Sequence, residues 1–126
     1  YLTQGKLLGL DATQRQRQTL LAWRRGLAID PESISLRNQI AQLAYADQGD
    51  VKGGLTFLRA GLARPLFPYP RSELLLDIAL MQWRADEKTG AEKTLLRLLH
   101  ENPAYEPAVS WLQSIHRQAE LHSGDR

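Results

Sequence analysis

A chain of 126 residues with 43% apolar and 24% charged side chains has the size and make-up of one folded domain, which excludes wholesale disorder. It has no cysteine, so disulfides, thiolate zinc sites and cysteine nucleophiles are excluded, and no apolar run approaches the roughly 20 residues that span a bilayer. A net charge of +2 is too small to imply nucleic acid, although residues 1–64 carry nine Lys or Arg against five acids and residues 65–126 seven against nine.

The chain begins at Tyr1 without a methionine or a signal-peptide pattern, and it reads as a piece of a longer protein or a processed product. Residues 1–10 make at most an incomplete helix. Asp11 is placed to cap a helix reaching about Ile29, with Leu20, Ala22, Trp23 and Leu27 on its apolar side and Trp23 in the core. Arg15, Arg17, Arg24 and Arg25 fall on this segment, either as a solvated helix face or as an attractor of phosphates or an acidic partner. Asp30-Pro31 breaks the helix. Ser33 caps the next, whose Leu36, Ile40, Leu43 and Ala44 recur at helical spacing, and Gln48-Gly49-Asp50 turns tightly into a helix holding Leu55, Leu58 and Leu62. Pro65 ends that helix.

Residues 67–70, with two prolines, are expected to form a stiff loop, after which Ser72 starts a helix running to about Trp83. A turn over 85–90 leads into a helix with Leu95, Leu96, Leu98 and Leu99, ended by Asn102-Pro103. Glu106-Pro107 opens a last helix, with proline where a missing N–H costs nothing, and this helix fades into the polar tail from His122. No sustained period-two alternation and no Asn-Gly or Asp-Gly hairpin turn argue for strands. The expected fold class is all-α.

The breaks recur. Pro31 and Pro65 lie 34 residues apart and Pro103 follows 38 later, the extra four matching the insertion at 67–70. Each proline closes a similar phrase, such as Trp23-Arg-Arg-Gly26-Leu27-Ala-Ile-Asp30-Pro31. A period of 34 residues built as helix, turn, helix resembles the tetratricopeptide repeat. Gly26, Gly54 and Ala91 stand at or near the family's small residue where the two helices of a pair cross, and Ile40-Ala41 and Ile78-Ala79 match its pair in the first helix. The family's aromatic early in the first helix is replaced by Arg37, Leu75 and Val109, and Leu98 stands where a small residue is usual. The resemblance implies a right-handed solenoid of antiparallel helix pairs, one domain over 1–126. The repeats would cover about 1–33, 34–67 and 72–105, with a capping helix over about 106–121.

The resemblance also implies that the first helix of each pair lines a concave groove that holds another protein. The groove positions are Asn38, Gln42 and Tyr45 in the second unit, Leu76, Leu80 and Trp83 in the third, and Ser110, Ser114 and Arg117 on the capping helix. Residues 74–83 are apolar nearly all round, so this helix is either covered by other parts of the protein or forms an apolar slot for a partner helix or extended peptide. Trp111 either packs on a neighbour or marks an interface. The expected function is a protein-interaction scaffold binding a peptide or helix. A homo-oligomerisation module and nucleic-acid binding through the basic N-terminal half are the alternatives.

Chemistry is sparse. His116 and Glu120 lie four apart with His122 near, which is short of a metal site needing three or four ligands. Lys88-Thr89-Gly90 lacks the Ser-x-x-Lys partner of a β-lactamase box, and no phosphate loop, His-Glu-x-x-His or Gly-x-Ser-x-Gly motif occurs. The expectation is no enzyme, no metal and no cofactor.

Overall fold

The computed structural model describes the backbone over residues 2–124 and the side chains over residues 11–120. Six α-helices follow one another among the described residues: α1 (Leu2–Ile29), α2 (Ile34–Ile40), α3 (Val51–Ala60), α4 (Pro68–Arg84), α5 (Lys88–Glu101) and α6 (Glu106–Gly124). The chain is all-α, and the described residues contain no strand. Two helices carry irregular extensions: a π-helical turn (Ala41–Tyr45) and a 3-10 turn (Ala46–Gln48) after α2, and a 3-10 turn (Gly61–Ala63) after α3.

The caps explain the boundaries. Ser33 Oγ accepts from the Leu36 N–H at 3.3 Å, and Asp50 Oδ1 accepts from the Gly53 N–H at 2.9 Å, so each satisfies a donor that has no partner inside its helix. Gly49, at φ 90°, supplies the left-handed residue between the end of the 3-10 turn and Asp50.

Two local expectations are corrected. Asp11 caps nothing, because α1 runs unbroken from Leu2 through it to Ile29. Residues 67–70 are not a free loop: Phe67 is the N-cap and α4 starts at Pro68. Pro68 and Pro70 fall in the first turn, where backbone N–H groups have no helical acceptor, so neither ring removes a hydrogen bond. Ser72 is therefore inside the helix and buried, donating to Pro68 O at 3.0 Å and accepting from Asn102 Nδ2 at 3.1 Å. The last helix continues to Gly124, while Tyr1, Asp125, Arg126 and the side chain of His122 lie outside the described residues.

Neighbours in sequence pack as neighbours in space, α1 on α2, α2 and its π turn on α3, α3 on α4, α4 on α5, and α5 on α6, with α2 also touching α4. Helix α4 separates two apolar clusters. Leu74, Ile78 and Met81 join Ile34, Ala41, Ala46, Leu55 and Leu58 on one side; Leu75 and Ala79 join Leu95, Leu98, Tyr105, Ala108 and Ile115 on the other. This double burial accounts for its nearly uninterrupted apolar sequence. Trp23, expected in the core, is half-buried and belongs to neither cluster.

Close crossings depend on small residues. A Cβ at Gly26 would meet Leu36 Cδ1 at 3.0 Å, and one at Gly54 would meet the Ala41 carbonyl oxygen at 3.0 Å and Met81 Cε at 3.3 Å. Ala91 is buried at the crossing of α4 and α5. The π turn changes the buried spacing in α2 from four to five. Ala41 and Ala46 both face the core, and the Ala46 N–H reaches back to the Ala41 carbonyl.

Candidate partner-binding face

Glu73, Asp77, Leu80 and Arg84 recur at spacings of four, three and four along α4 and so share one stripe, on the side away from Leu75 and Ala79. Arg84 fixes how this stripe sits beside α2. Its Nη1 donates to Gln42 Oε1 at 2.7 Å, and its Nη2 lies 3.3 Å from Asp47 Oδ1. One turn earlier on each helix are Asn38 and Leu80. The two helices thus present a shared strip with Asn38 and Gln42 along one edge and Asp77, Leu80 and Arg84 along the other.

Two acceptors on this strip lack donors. Asn38 Oδ1 is buried and accepts no hydrogen bond. Asp77 is half-buried, and among the described residues no hydrogen bond or ion pair reaches its carboxylate. Burial, and then repulsion from Glu73 one turn away, push its carboxyl up to about 7. Leaving a fully buried polar atom such as Asn38 Oδ1 unsatisfied costs about 1–3 kcal/mol. Leu80, one turn from Asp77 on the same stripe, is half-buried.

The other expected groove residues are distributed differently. Leu76 and Trp83 are half-buried against the second cluster, and the Trp83 ring lies 6.5 Å from that of Trp111 and 5.3 Å from Lys88 Nζ. Trp111 therefore has a partner inside this chain while remaining 37% exposed. Tyr45 is stacked on Phe57 of α3 at 5.6 Å, because the π turn rotates it toward that helix. Ser110, Ser114 and Arg117 are exposed on the side of α6 opposite buried Ala108 and Ile115. Ser114 Oγ donates back to Ser110 O at 3.1 Å, and no described contact ties these three to the α2–α4 strip. Asn38, Gln42 and Leu80 are the expected residues that the structure brings together.

Sequence reasoning missed Glu73, Asp77 and Arg84. A signal was available: two acids one turn apart, Glu73 and Asp77, bracket the Leu74-Leu75-Leu76 run of α4, a like-charge spacing that weakens an isolated helix. The remaining polar chemistry is dispersed. His116 Nε2 lies 3.4 Å from Glu92 Oε1, and Arg71 pairs with Glu101 between α4 and α5. The described residues hold no group of three His, Cys, Asp or Glu that would surround a metal ion, and no described helix is long and apolar enough to cross a membrane. Comparison of the chain with protein-family models, with curated proteins and with solved structures returned no match in any of the three.

Proposed function

We propose that the chain is a tetratricopeptide-like scaffold whose α2–α4 strip holds a helical or extended segment of another protein, one that brings a basic side chain to Asp77. The observation that carries this reading is the half-buried Asp77 carboxylate, set beside Glu73 with no cation against it and on the same helical stripe as half-buried Leu80. A Lys or Arg beside Asp77 would favour its charged form and remove the repulsion from Glu73. Burial of Leu80 would add roughly 25 cal/mol for each Å² removed from water, less the cost of ordering the partner.

The solenoid reading is supported by two helix pairs, α2–α3 closed near Pro65 and α4–α5 closed near Pro103, and by the tight approach at Gly54. The expected first unit over about 1–33 is instead the single unbroken helix α1, whose Gly26 meets Leu36 of α2. The solenoid reading gives a reason for α2 to lie beside α4, as first helices of successive units do in such a stack.

The test is a pair of amphipathic peptides identical except for Lys or Glu at one position, titrated against the isotopically labelled protein and followed by amide shifts. The reading expects the Lys peptide to bind better, with shifts centred on Asn38, Gln42, Asp77 and Leu80, and to lose that advantage against Asp77→Asn. Equal binding of both peptides, or shifts centred elsewhere, would overturn it. Solution mass by light scattering is measured alongside, for wild type and for Leu80→Glu with Trp83→Ala. A wild-type dimer made monomeric by the folded variant would assign the face to self-association instead.

A further inference from the structure

A second polar feature lies between α1, α2 and α3. Arg37 is 9% exposed, a guanidinium in the interior without a carboxylate. Its Nη1 donates to the Phe57 carbonyl at 3.1 Å, its Nη2 approaches the Pro31 carbonyl at 3.5 Å, and its plane lies over the Phe57 ring with Cζ 5.2 Å from the centroid. The Phe57 carbonyl is free for this bond because α3 tightens at its end: the Gly61 N–H turns to Leu58 and Arg59 and leaves Phe57 O. Gly61 also clears the path, since a Cβ there would meet Arg37 Cδ and Nε at 2.8 Å.

Arg37 opens onto a cleft of about 400 Å³ whose walls include Arg24, Arg64, Leu27, Pro31 and Phe57. The three arginines come from α1, α2 and the segment after α3, and none is ion-paired among the described residues. Burial, and then the Arg64 charge, pull the Arg37 guanidinium below its ordinary value, so its charged form is under strain that an anion would relieve. Of its five N–H donors the two carbonyls engage two, and guanidinium groups suit planar or tetrahedral oxyanions through paired hydrogen bonds.

We infer that the cleft lined by Arg24, Arg37 and Arg64 is a binding site for an oxyanion carried on an apolar stem, the anion meeting the arginines and the stem lying on Leu27, Pro31 and Phe57. This site is separate from the α2–α4 strip and does not depend on the reading given for it. It also divides the basic N-terminal half: Arg24 lines the cleft with Arg37 and Arg64, whereas Arg15, Arg17 and Arg25 lie along α1 outside its lining.

The experiment titrates phenyl phosphate, benzoate, inorganic phosphate and phenol into the labelled protein at constant ionic strength, reading the Arg Nε–Hε resonances and the backbone amides near Pro31 and Phe57. Saturable binding of phenyl phosphate, several-fold tighter than inorganic phosphate and absent for phenol, is the expected result. A benzoate affinity matching that of phenyl phosphate assigns the natural anion to the carboxylate class, and a much weaker one assigns it to the phosphate class. Arg64→Gln and Arg24→Gln, both at exposed positions, are each expected to weaken binding severalfold and together about tenfold or more. Arg15→Gln with Arg17→Gln is expected to leave it unchanged. Because Arg37→Met risks the fold, Gly61→Ala serves as a second probe, and folded protein of this kind should lose the Arg37 Nε shift. Binding that is lost equally in the Arg15/Arg17 control would overturn the site in favour of diffuse charge attraction. So would a short oligonucleotide that competes with steep salt dependence through Arg15 and Arg17, or the absence of saturation by about 10 mM.

Discussion

Replacing Asp77 with Asn keeps the shape of the side chain and removes its charge, so it isolates the cost of an unpaired carboxylate on the α2–α4 strip. The carboxyl titrates at about 7 in the folded chain against 3.8 ordinarily. Each decade of proton affinity is worth 1.36 kcal/mol, so the full penalty on the folded wild type at pH 8 is about 4 kcal/mol, reduced somewhat because the group is half-buried. The sign follows from proton binding. Between pH 4 and 7 the folded state holds this proton and the unfolded state has released it, so stability falls as pH rises through that window. Asp77→Asn is therefore expected to stabilise the protein, with about 2–3 kcal/mol of the gain appearing between pH 5 and pH 8. Urea unfolding at the two pH values, followed by circular dichroism, measures the double difference. At a denaturant sensitivity of about 1–3 kcal/mol per M, the midpoint advantage at pH 8 should exceed that at pH 5 by about 1 M or more. A variant no more stable than wild type, or one with the same advantage at both pH values, would refute the claim that Asp77 is desolvated and unpartnered.

Other substitutions check the packing. Gly54→Ala is expected to destabilise by about 1–2 kcal/mol in thermal unfolding, because the Ala41 carbonyl cannot yield to a Cβ 3.0 Å away and the gain in helix propensity offsets only part of that. Gly90→Ala, where a Cβ would meet the buried Gln82 amide at 3.0 Å, should change stability by less than about 1 kcal/mol in the same assay, because the gain in helix propensity offsets the crowding of a side-chain end rather than of backbone. Loss of the α2 cap in Ser33→Ala should cost about 1 kcal/mol in urea unfolding, with amide exchange rising at Leu36. Leu74→Ala, at a fully buried position of the first cluster, should cost about 2–5 kcal/mol by the same measurement, against under about 0.5 for exposed Leu96→Ala beyond its helix-propensity term.

Helix number and the main breaks were legible because they rest on short-range chemistry: Ser33 and Asp50 as caps, Gly49 at positive φ, prolines near 31, 65 and 103. What the sequence concealed is positional. Pro68 and Pro70 read as helix breakers, yet the first turn has no N–H acceptors for them to spoil. The widening at Ala41–Tyr45 has no local signature; it rotates Tyr45 onto Phe57, so a residue counted into the strip at a spacing of 3.6 leaves it. The strip itself was half legible. Asn38, Gln42 and Leu80 come from the register that the repeat resemblance implies, whereas Glu73 and Asp77 gain their meaning only from burial. Arg37 is the same case: on sequence it fills an aromatic position, and only the tertiary fold surrounds it with carbonyls, a ring and two further arginines.

The most direct test of the scaffold reading places a photoreactive side chain at Leu80 and, in a separate protein, at exposed Thr56 on α3, and irradiates each in an extract of the cells that express the chain. Cross-linked products are then mapped by mass spectrometry. The account expects one partner at Leu80 that is absent at Thr56, joined through a segment with a Lys or Arg close to the cross-link, and lost when the Asp77→Asn change is added. Cross-links that are equal at both positions, or that form at Leu80 only within the same chain, would contradict it and mark the α2–α4 strip as an internal packing surface.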